Sequence, residues 1–421
     1  MMIKRLGPQA TSYTCRRPML PRRCSIRKFT SHPSPAPAHP SSASPLGVIT
    51  VELDNIAPRF EIQASQINIL DSPAAFYEAL KVHRLDPLAN LSNDYFSNRA
   101  DRYHVFNSKP LTDYYSRIHN GVCSLSFQML SDSKDKEGYT LSWPASNGAP
   151  SPLDDRENFI SHASTVLAPL VKPLKSKALP LPASSKPTLV YPVAQFSPLL
   201  KPDESTEYPA VTKLLSLLST TPALANSSWL FTAGYFNIHP VLSSLLISST
   251  SPSKATVSKP QGTVLTASPW ANGFYGSAGV SGMLPAAYTH LSARFLDRVA
   301  EAQRTNSIQW KEWRRGTVGE SGGWSYHAKG LWITLPGEQQ PSITFVGSSN
   351  FTKRSYGLDL EVGAIVVTSN EALKQRLAEE TEWLQKDASV MSRDDLRKEE
   401  RRVSWNVRLA MWIVEKLGGA L

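Results

Sequence analysis

Cysteine is scarce in this sequence: three residues in 421, with Cys15 and Cys24 near the N-terminus and Cys123 alone in the body. A single thiol excludes internal disulfides and a cysteine-based zinc site there. Long apolar runs are missing as well, and no segment offers the 18 or so uninterrupted apolar residues of a membrane span. Acidic residues are absent before Glu52, in a stretch that holds Lys4, Arg5, Arg16, Arg17, Arg22, Arg23, Arg27 and Lys28. Those eight cations carry most of the formal charge of +10, so the body is nearly neutral. A nucleic-acid partner is therefore not expected, since phosphate binding needs basic groups gathered on the folded part.

What is present begins with that basic stretch. It is rich in Arg and Ser, lacks the apolar core of a secretory signal, and runs into "SHPSPAPAHPSSASP". Residues 1–47 are read as a mitochondrial transit peptide and a flexible linker. The remaining length, with 41% hydrophobic residues overall, suffices for two domains or one bilobal one.

From residue 186 strand and helix patterns alternate. "PTLVYPVAQF", "SWLFTAGYF" and "GTVLTASP" read as strands, with helices at "AVTKLLSLLS", "HPVLSSLLIS" and "AAYTHLSARFLDRVAEAQ". Then come two strands around "LPGEQQP", the strand "LEVGAIVVTS" and the helix "EALKQRLAEETEWLQ". Such alternation predicts an α/β sandwich with a mixed sheet. The first half carries a shorter version: strand "FEIQASQINIL", helix "AAFYEALK", a turn and strand in "ANLSNDYFSNRADRYHVFNS", and helix "LTDYYSRIHNGV". Aligning Asn90 with Asn350 sets Asp101 opposite Glu361, eleven residues on in both copies, which marks a degenerate internal repeat.

The chemistry concentrates in "YHAKGLWITLPGEQQPSITFVGSSN", residues 326–350. Side chains alternate along a strand, so His327 and Lys329 share a face. Asn350 ends the next strand and reaches the same edge. An imidazole can attack phosphorus or move a proton, while Lys and Asn donors hold phosphate oxygens. Glu361 is the expected acid that orients the His327 ring.

"HAK…GSSNFTKRSYGLDLE" resembles the His-x-Lys…Gly-Ser-x-Asn signature of the phospholipase D superfamily, although Thr334 stands where the usual Asp would follow the lysine. Together with "SPWANGFYGSAGVSGMLPAAYTHL", "WSYHAKGLW" and "ANLSNDYFSNRADRYHVF", the chain is similar over roughly residues 58–390 to the mitochondrial phosphatidylglycerophosphate synthases of eukaryotes. The resemblance implies a bilobal α/β sandwich: an incomplete first lobe at 48–150, a helix and linker at 151–185, a complete second lobe at 186–390, and a helical extension at 391–421. It implies transfer of a phosphatidyl group from CDP-diacylglycerol to sn-glycerol 3-phosphate through a phosphohistidine-type mechanism, with no cofactor and no metal. It further implies peripheral contact with the mitochondrial inner membrane, and leaves a homo-oligomer open. By carry-over His327 is the general acid/base, Lys329, Ser348, Asn350 and Asn90 bind phosphate, Glu361 orients His327, and Asp101 is the first-lobe counterpart of that acid.

One departure stands out. A first His-x-Lys belongs upstream of Asn90, yet His83 is followed two residues on by Leu85 and lies seven residues before Asn90, against 23 from His327 to Asn350. An internal block is missing between "AAFYEALK" and the Asn turn, so the chain alone is expected to be inactive or severely impaired. Two other readings stay open: a catalytically dead lipid-binding relative, and a phospholipase D-type phosphodiesterase.

The remaining features read more plainly. His104, His119, His239 and His290 are expected to be structural or surface residues. "GESGG" (319–323) matches a nucleophile elbow in letters only, because a polar, Trp-rich segment precedes it and a strand follows. Gly273, Gly276, Gly279 and Gly282 suit either close approach to a ligand or tight loop packing. "RDDLRKEERR" reads as a solvated charged helix. "VSWNVRLAMWIVEKLGG" (403–419) reads as an amphipathic helix that either packs on the second lobe or lies in a membrane interface.

Overall fold

The computed structural model describes residues 44–83, 93–131, 138–173, 188–252 and 259–416. The basic N-terminal stretch, Asn90 and the linker at 174–187 lie outside these residues.

A nine-stranded mixed sheet forms the centre. Counting its strands along the chain gives β1 (Phe60–Ile62), β2 (Thr188–Gln195), β3 (Ser228–Ala233), β4 (Gly262–Ala267), β5 (Ile308–Trp313), β6 (Lys329–Thr334), β7 (Ile343–Gly347), β8 (Glu361–Thr368) and β9 (Ala388–Val390). Their spatial order is β1-β2-β8-β7-β6-β3-β4-β5-β9. The pairs β3/β4 and β4/β5 are parallel, and the others are antiparallel. The β6–β7 hairpin brackets the Pro/Gly turn that the sequence marks.

Side-chain alternation divides the core into two layers. Along β6, Leu331 and Ile333 point to one face, where they meet helices α1 (Pro45–Asp54), Glu207–Thr220, Pro240–Ser248 and Leu284–Glu301. Trp332 points to the other face, against Leu373, Leu377 and Leu384 of the helix Glu371–Gln385. No helix of the described residues is long and apolar enough to cross a membrane.

The first half uses this same sheet. Ile49 and Leu53 of α1 are buried in the layer that holds Val211 and Leu214, and β1 extends the sheet edge beside β2. The stretch expected as one strand, "FEIQASQINIL", is broken at Ala64–Gln66 by a 3₁₀ turn in which the Gln66 side chain accepts from the Gln63 amide. Its second part, Ile67–Leu70, leaves the central sheet to pair with Tyr103–Phe106. Two further helices, Lys109–Cys123 and Arg156–Val171, pack on each other and on Ala194 and Phe196 at the end of β2.

Two other expectations are corrected at the C-terminal side. "RDDLRKEERR" forms two short 3₁₀ turns instead of a solvated helix, because Arg401 is drawn inward to a buried ion pair with Glu312 on β5, 2.5 Å away. The polar segment before "GESGG" contains β5 itself, whose Trp310 and Trp313 are buried. "GESGG" is a loop with no helix after it, as read.

Candidate active site

His327 sits just before β6, and the chain there is held from three sides. Its amide donates to the Ala100 carbonyl at 2.8 Å, extending a short parallel pairing of Arg99–Ala100 with Ser325–Tyr326. Behind it, a Cβ on Gly234 would lie 2.7 Å from the Tyr326 oxygen and 2.9 Å from the His327 Cα, so only glycine admits this approach. Tyr326 is fully buried, its hydroxyl 2.7 Å from that of Thr232.

That pairing delivers Asp101 to the histidine. Asp101 Oδ2 lies 2.9 Å from His327 Nδ1, a contact between residues 226 positions apart. The carboxylate accepts, so Nδ1 carries the proton and Nε2 keeps its lone pair. Lys329 Nζ lies 3.0 Å from Nε2, 2.9 Å from Nδ1, and donates to the His327 carbonyl at 2.7 Å. The Tyr95 hydroxyl is 3.1 Å from Nδ1, and the rings of Tyr95 and Tyr235 meet the imidazole edge-on at 5.8 and 5.4 Å. Arg99 stacks over Tyr95 at 4.4 Å and donates to Asp94.

Glu361, expected to orient His327, does not. Its carboxylate accepts from the Ser348 hydroxyl and lies on the Lys329 side of the cluster. The orienting acid is Asp101, because the Ala100–Tyr326 register brings the first half's acid to the second half's histidine. Ser348, expected to bind phosphate, thus has its hydroxyl committed to Glu361, and it also accepts from the Val362 amide at 3.2 Å. Asn350 sits at the turn after β7, and its Oδ1 is buried without a hydrogen-bond partner. Phe351 beyond it adopts φ 59, in the left-handed region that non-glycine residues rarely enter. Asn90 falls outside the described residues.

Burial dominates the electrostatics. It pushes His327 down to about 4, with the Lys329 charge adding to the shift and Asp101 opposing it, so the imidazole is neutral near pH 7. Burial also takes Lys329 down to about 8, against the pull of Asp101 and Glu361. Asp101 would be raised by burial, but its His327 hydrogen bond and the neighbouring charges hold it below the usual carboxylate range. Burial and Asp101 push the Tyr95 hydroxyl up to about 12, so it stays protonated. A neutral imidazole with an ionised acid on one nitrogen and a lone pair on the other can take a proton or attack an electrophile.

Four site residues escaped the sequence reading. Tyr95 and Arg99 lie inside "ANLSNDYFSNRADRYHVF", and Tyr235 directly follows β3, but no spacing rule marks them. Glu207 opens the helix Glu207–Thr220 and is fully buried, with the Ser349 hydroxyl beside its carboxyl. Burial and the Glu361 charge push it up to about 8.

The expected structural histidine His104 anchors the site from below. Its Nε2 lies 2.8 Å from Glu380, which also receives two 2.9 Å bonds from Arg102 and one of 3.0 Å from Trp332 Nε1. Arg102 lies over the Trp332 ring at 3.8 Å and donates to the Phe345 carbonyl. The next residue along from Lys329 must be glycine, since a Cβ on Gly330 would stand 2.0 Å from Arg102 Nη1. Arg102 also gives its amide to the Asp101 carboxylate at 2.8 Å, so this lock sets the acid's position.

No family model matches the chain. It is similar to the CDP-diacylglycerol–glycerol-3-phosphate 3-phosphatidyltransferase of Saccharomyces cerevisiae, with 40% identity over 337 residues, 78% of this chain and 62% of that protein. The Schizosaccharomyces pombe protein of the same name is 34% identical over 348 residues, and the mitochondrial one of Homo sapiens 29% over 352, with 64% and 57% of those proteins covered. The chain thus spans about three-fifths of the length of the curated relatives it matches. Among solved structures, the phosphatidylserine synthase of Haemophilus influenzae superposes with a TM-score of 0.61 at 15% identity, covering 89% of this chain and 98% of that one. That likeness shows a shared fold, and the α/β sandwich with a mixed sheet is the one expected from the sequence.

Proposed function

We propose that the chain belongs to the family of CDP-diacylglycerol–glycerol-3-phosphate 3-phosphatidyltransferases, to which it is similar in sequence, and that its site serves the transfer of a phosphatidyl group from CDP-diacylglycerol to sn-glycerol 3-phosphate. The observation that carries this reading is the buried His327–Asp101 pair beside Lys329. The glycerol oxygen bonds to the lipid-side phosphorus, the bond from that phosphorus to the CMP oxygen breaks, and CMP leaves with the electron pair. The hydroxyl proton passes to Nε2 of His327, and Asp101 stabilises the imidazolium that forms. Lys329 offsets the charge on the nonbridging oxygens, with the Asn350 amide as a second donor.

A phosphohistidine route needs a second imidazole as nucleophile, with His327 as the acid/base. Among the described residues no second histidine joins the cluster by hydrogen bond or ring contact. Glu361, equivalent to Asp101 in the repeat, lies across Lys329 from that pair and would orient such a group. Turnover by this chain is accordingly expected to be slow. The absence favours one second reading, a lipid-binding relative without turnover. The mitochondrial relatives and the basic leader support a mitochondrial location, and a lipid substrate supports peripheral contact with the inner membrane.

The test is CDP-diacylglycerol-dependent incorporation of labelled glycerol 3-phosphate by the purified chain and by His327→Ala. Incorporation that is abolished in the variant supports transfer. Robust incorporation unchanged in the variant refutes the role of His327, and binding of CDP-diacylglycerol with no incorporation favours the second reading.

A further inference from the structure

The helix α10 (Trp405–Lys416) has two apolar faces, and only one of them is used. Val407 and Met411 are buried against Ala287 of the helix α7 (Leu284–Glu301), with Met283 and Leu291 around them. The helix is fixed there: Arg294 of α7 binds Glu415 at 2.5 Å, and the turn before it is pinned by Arg401 on Glu312. At about 100° per residue, Trp405, Leu409, Trp412 and Ile413 fall in one sector opposite Val407 and Met411. That sector is bare, with Trp405 75% and Trp412 56% exposed.

Cations flank the stripe. Arg402, Arg408 and Lys416 are exposed, and neither Arg408 nor Lys416 forms an ion pair among the described residues. Apolar groups with tryptophans, bordered by unpaired cations, match the interface of an anionic bilayer: indole rings at headgroup depth and cations on the phosphates. The stripe also lies one helix away from the reacting histidine. Tyr288 of α7 stacks on Tyr235 at 5.6 Å, and Tyr235 touches His327. The turn that leads into α7 presents Val280, 80% exposed.

We propose that the outer face of α10, with Val280, is the surface by which this protein docks on an anionic lipid bilayer, next to the wall of the His327 site. The proposal rests on the reading of a lipid substrate and names the face that meets the membrane. A docked α10 would bring α7, whose Tyr288 stacks on Tyr235 beside His327, next to the bilayer.

The test is flotation of the purified chain with vesicles of phosphatidylcholine alone and with one-third phosphatidylglycerol. Binding is expected to the anionic vesicles, to weaken with salt, and to fall at least about tenfold in Trp412→Asp/Ile413→Asp. Arg408→Glu/Lys416→Glu, which leaves the buried face alone, is expected to lose the preference for anionic vesicles while keeping the same melting temperature. Wild-type chain that stays with the buffer, or a Trp412/Ile413 variant that binds as well as wild type, overturns the proposal. So does a concentration-dependent doubling of mass that the same variant abolishes without any vesicle binding, which would assign the face to a second copy. Flotation needs no turnover: an inactive chain that binds leaves the surface standing and removes only the transfer reading, while an active chain that does not bind does the reverse.

Discussion

Glu207 gives the sharpest test of the electrostatics beneath the site. Its carboxyl is buried near Glu361 with the Ser349 hydroxyl beside it, and burial and the Glu361 charge, opposed by Ser349, hold its proton up to about 8 against an ordinary 4.5. The folded protein therefore binds a proton at Glu207 that the unfolded chain has lost, at every pH between about 4.5 and 8. Stability then falls as pH rises through that window and levels off above it. At roughly 1.36 kcal/mol per pH unit, the loss from pH 5 to pH 8 is about 4 kcal/mol as an upper value, since relaxation of the pocket reduces it. Glu207→Gln keeps the shape and removes the titration. The assay is urea unfolding of both proteins from pH 5 to pH 8.5, read as the difference between them, in which the other titrating groups cancel. The two proteins are expected to be similar at pH 5, and the variant to be more stable by a few kcal/mol at pH 8. A difference that stays flat, or that turns against the variant as pH rises, refutes the buried neutral carboxyl.

Other predictions follow from the same geometry. Gly330→Ala drives a methyl into Arg102 and is expected to lower the melting temperature by the equivalent of about 3 kcal/mol, with loss of whatever turnover the chain shows. Glu380→Ala leaves Arg102 buried and charged without its carboxylate and is expected to cost about 3–5 kcal/mol in denaturant unfolding. Asp101→Asn keeps the shape but donates to Nδ1, so it is expected to cut transfer at least about a hundredfold with little change in stability; equal loss in both would mark Asp101 as purely structural. His327, already neutral above about 4, predicts no fall in rate from its protonation between pH 8 and 5.5, and a rate that drops with a midpoint near 6.5 would contradict it.

The sequence showed the second half plainly because its strands alternate and its helices carry apolar stripes, as in Leu331–Trp332–Ile333. It hid β5, whose Lys311 and Glu312 look like loop residues until the Arg401 partner is seen. The repeat aligns Asp101 with Glu361, yet an alignment cannot say which acid faces which histidine. That depends on the pairing of Ala100 with Tyr326, a register between segments far apart in the chain. Glu207 left no trace, since a lone Glu at a helix start is ordinarily a solvated N-terminal charge. For α10 the sequence left packing and a membrane interface as alternatives; the packed face is seen against Ala287, and the opposite apolar face is exposed.

The contact between Asp101 and His327 bears on how this protein can be divided. Asp101 precedes and His327 follows residues 174–187 in the chain, so two polypeptides cut there would each hold half of the pair. Neither fragment could tune an imidazole alone, and recovery of the His327 resonance shifts on mixing them would report reassembly at a single atom pair. The site would then act as its own sensor of whether the two halves have found each other.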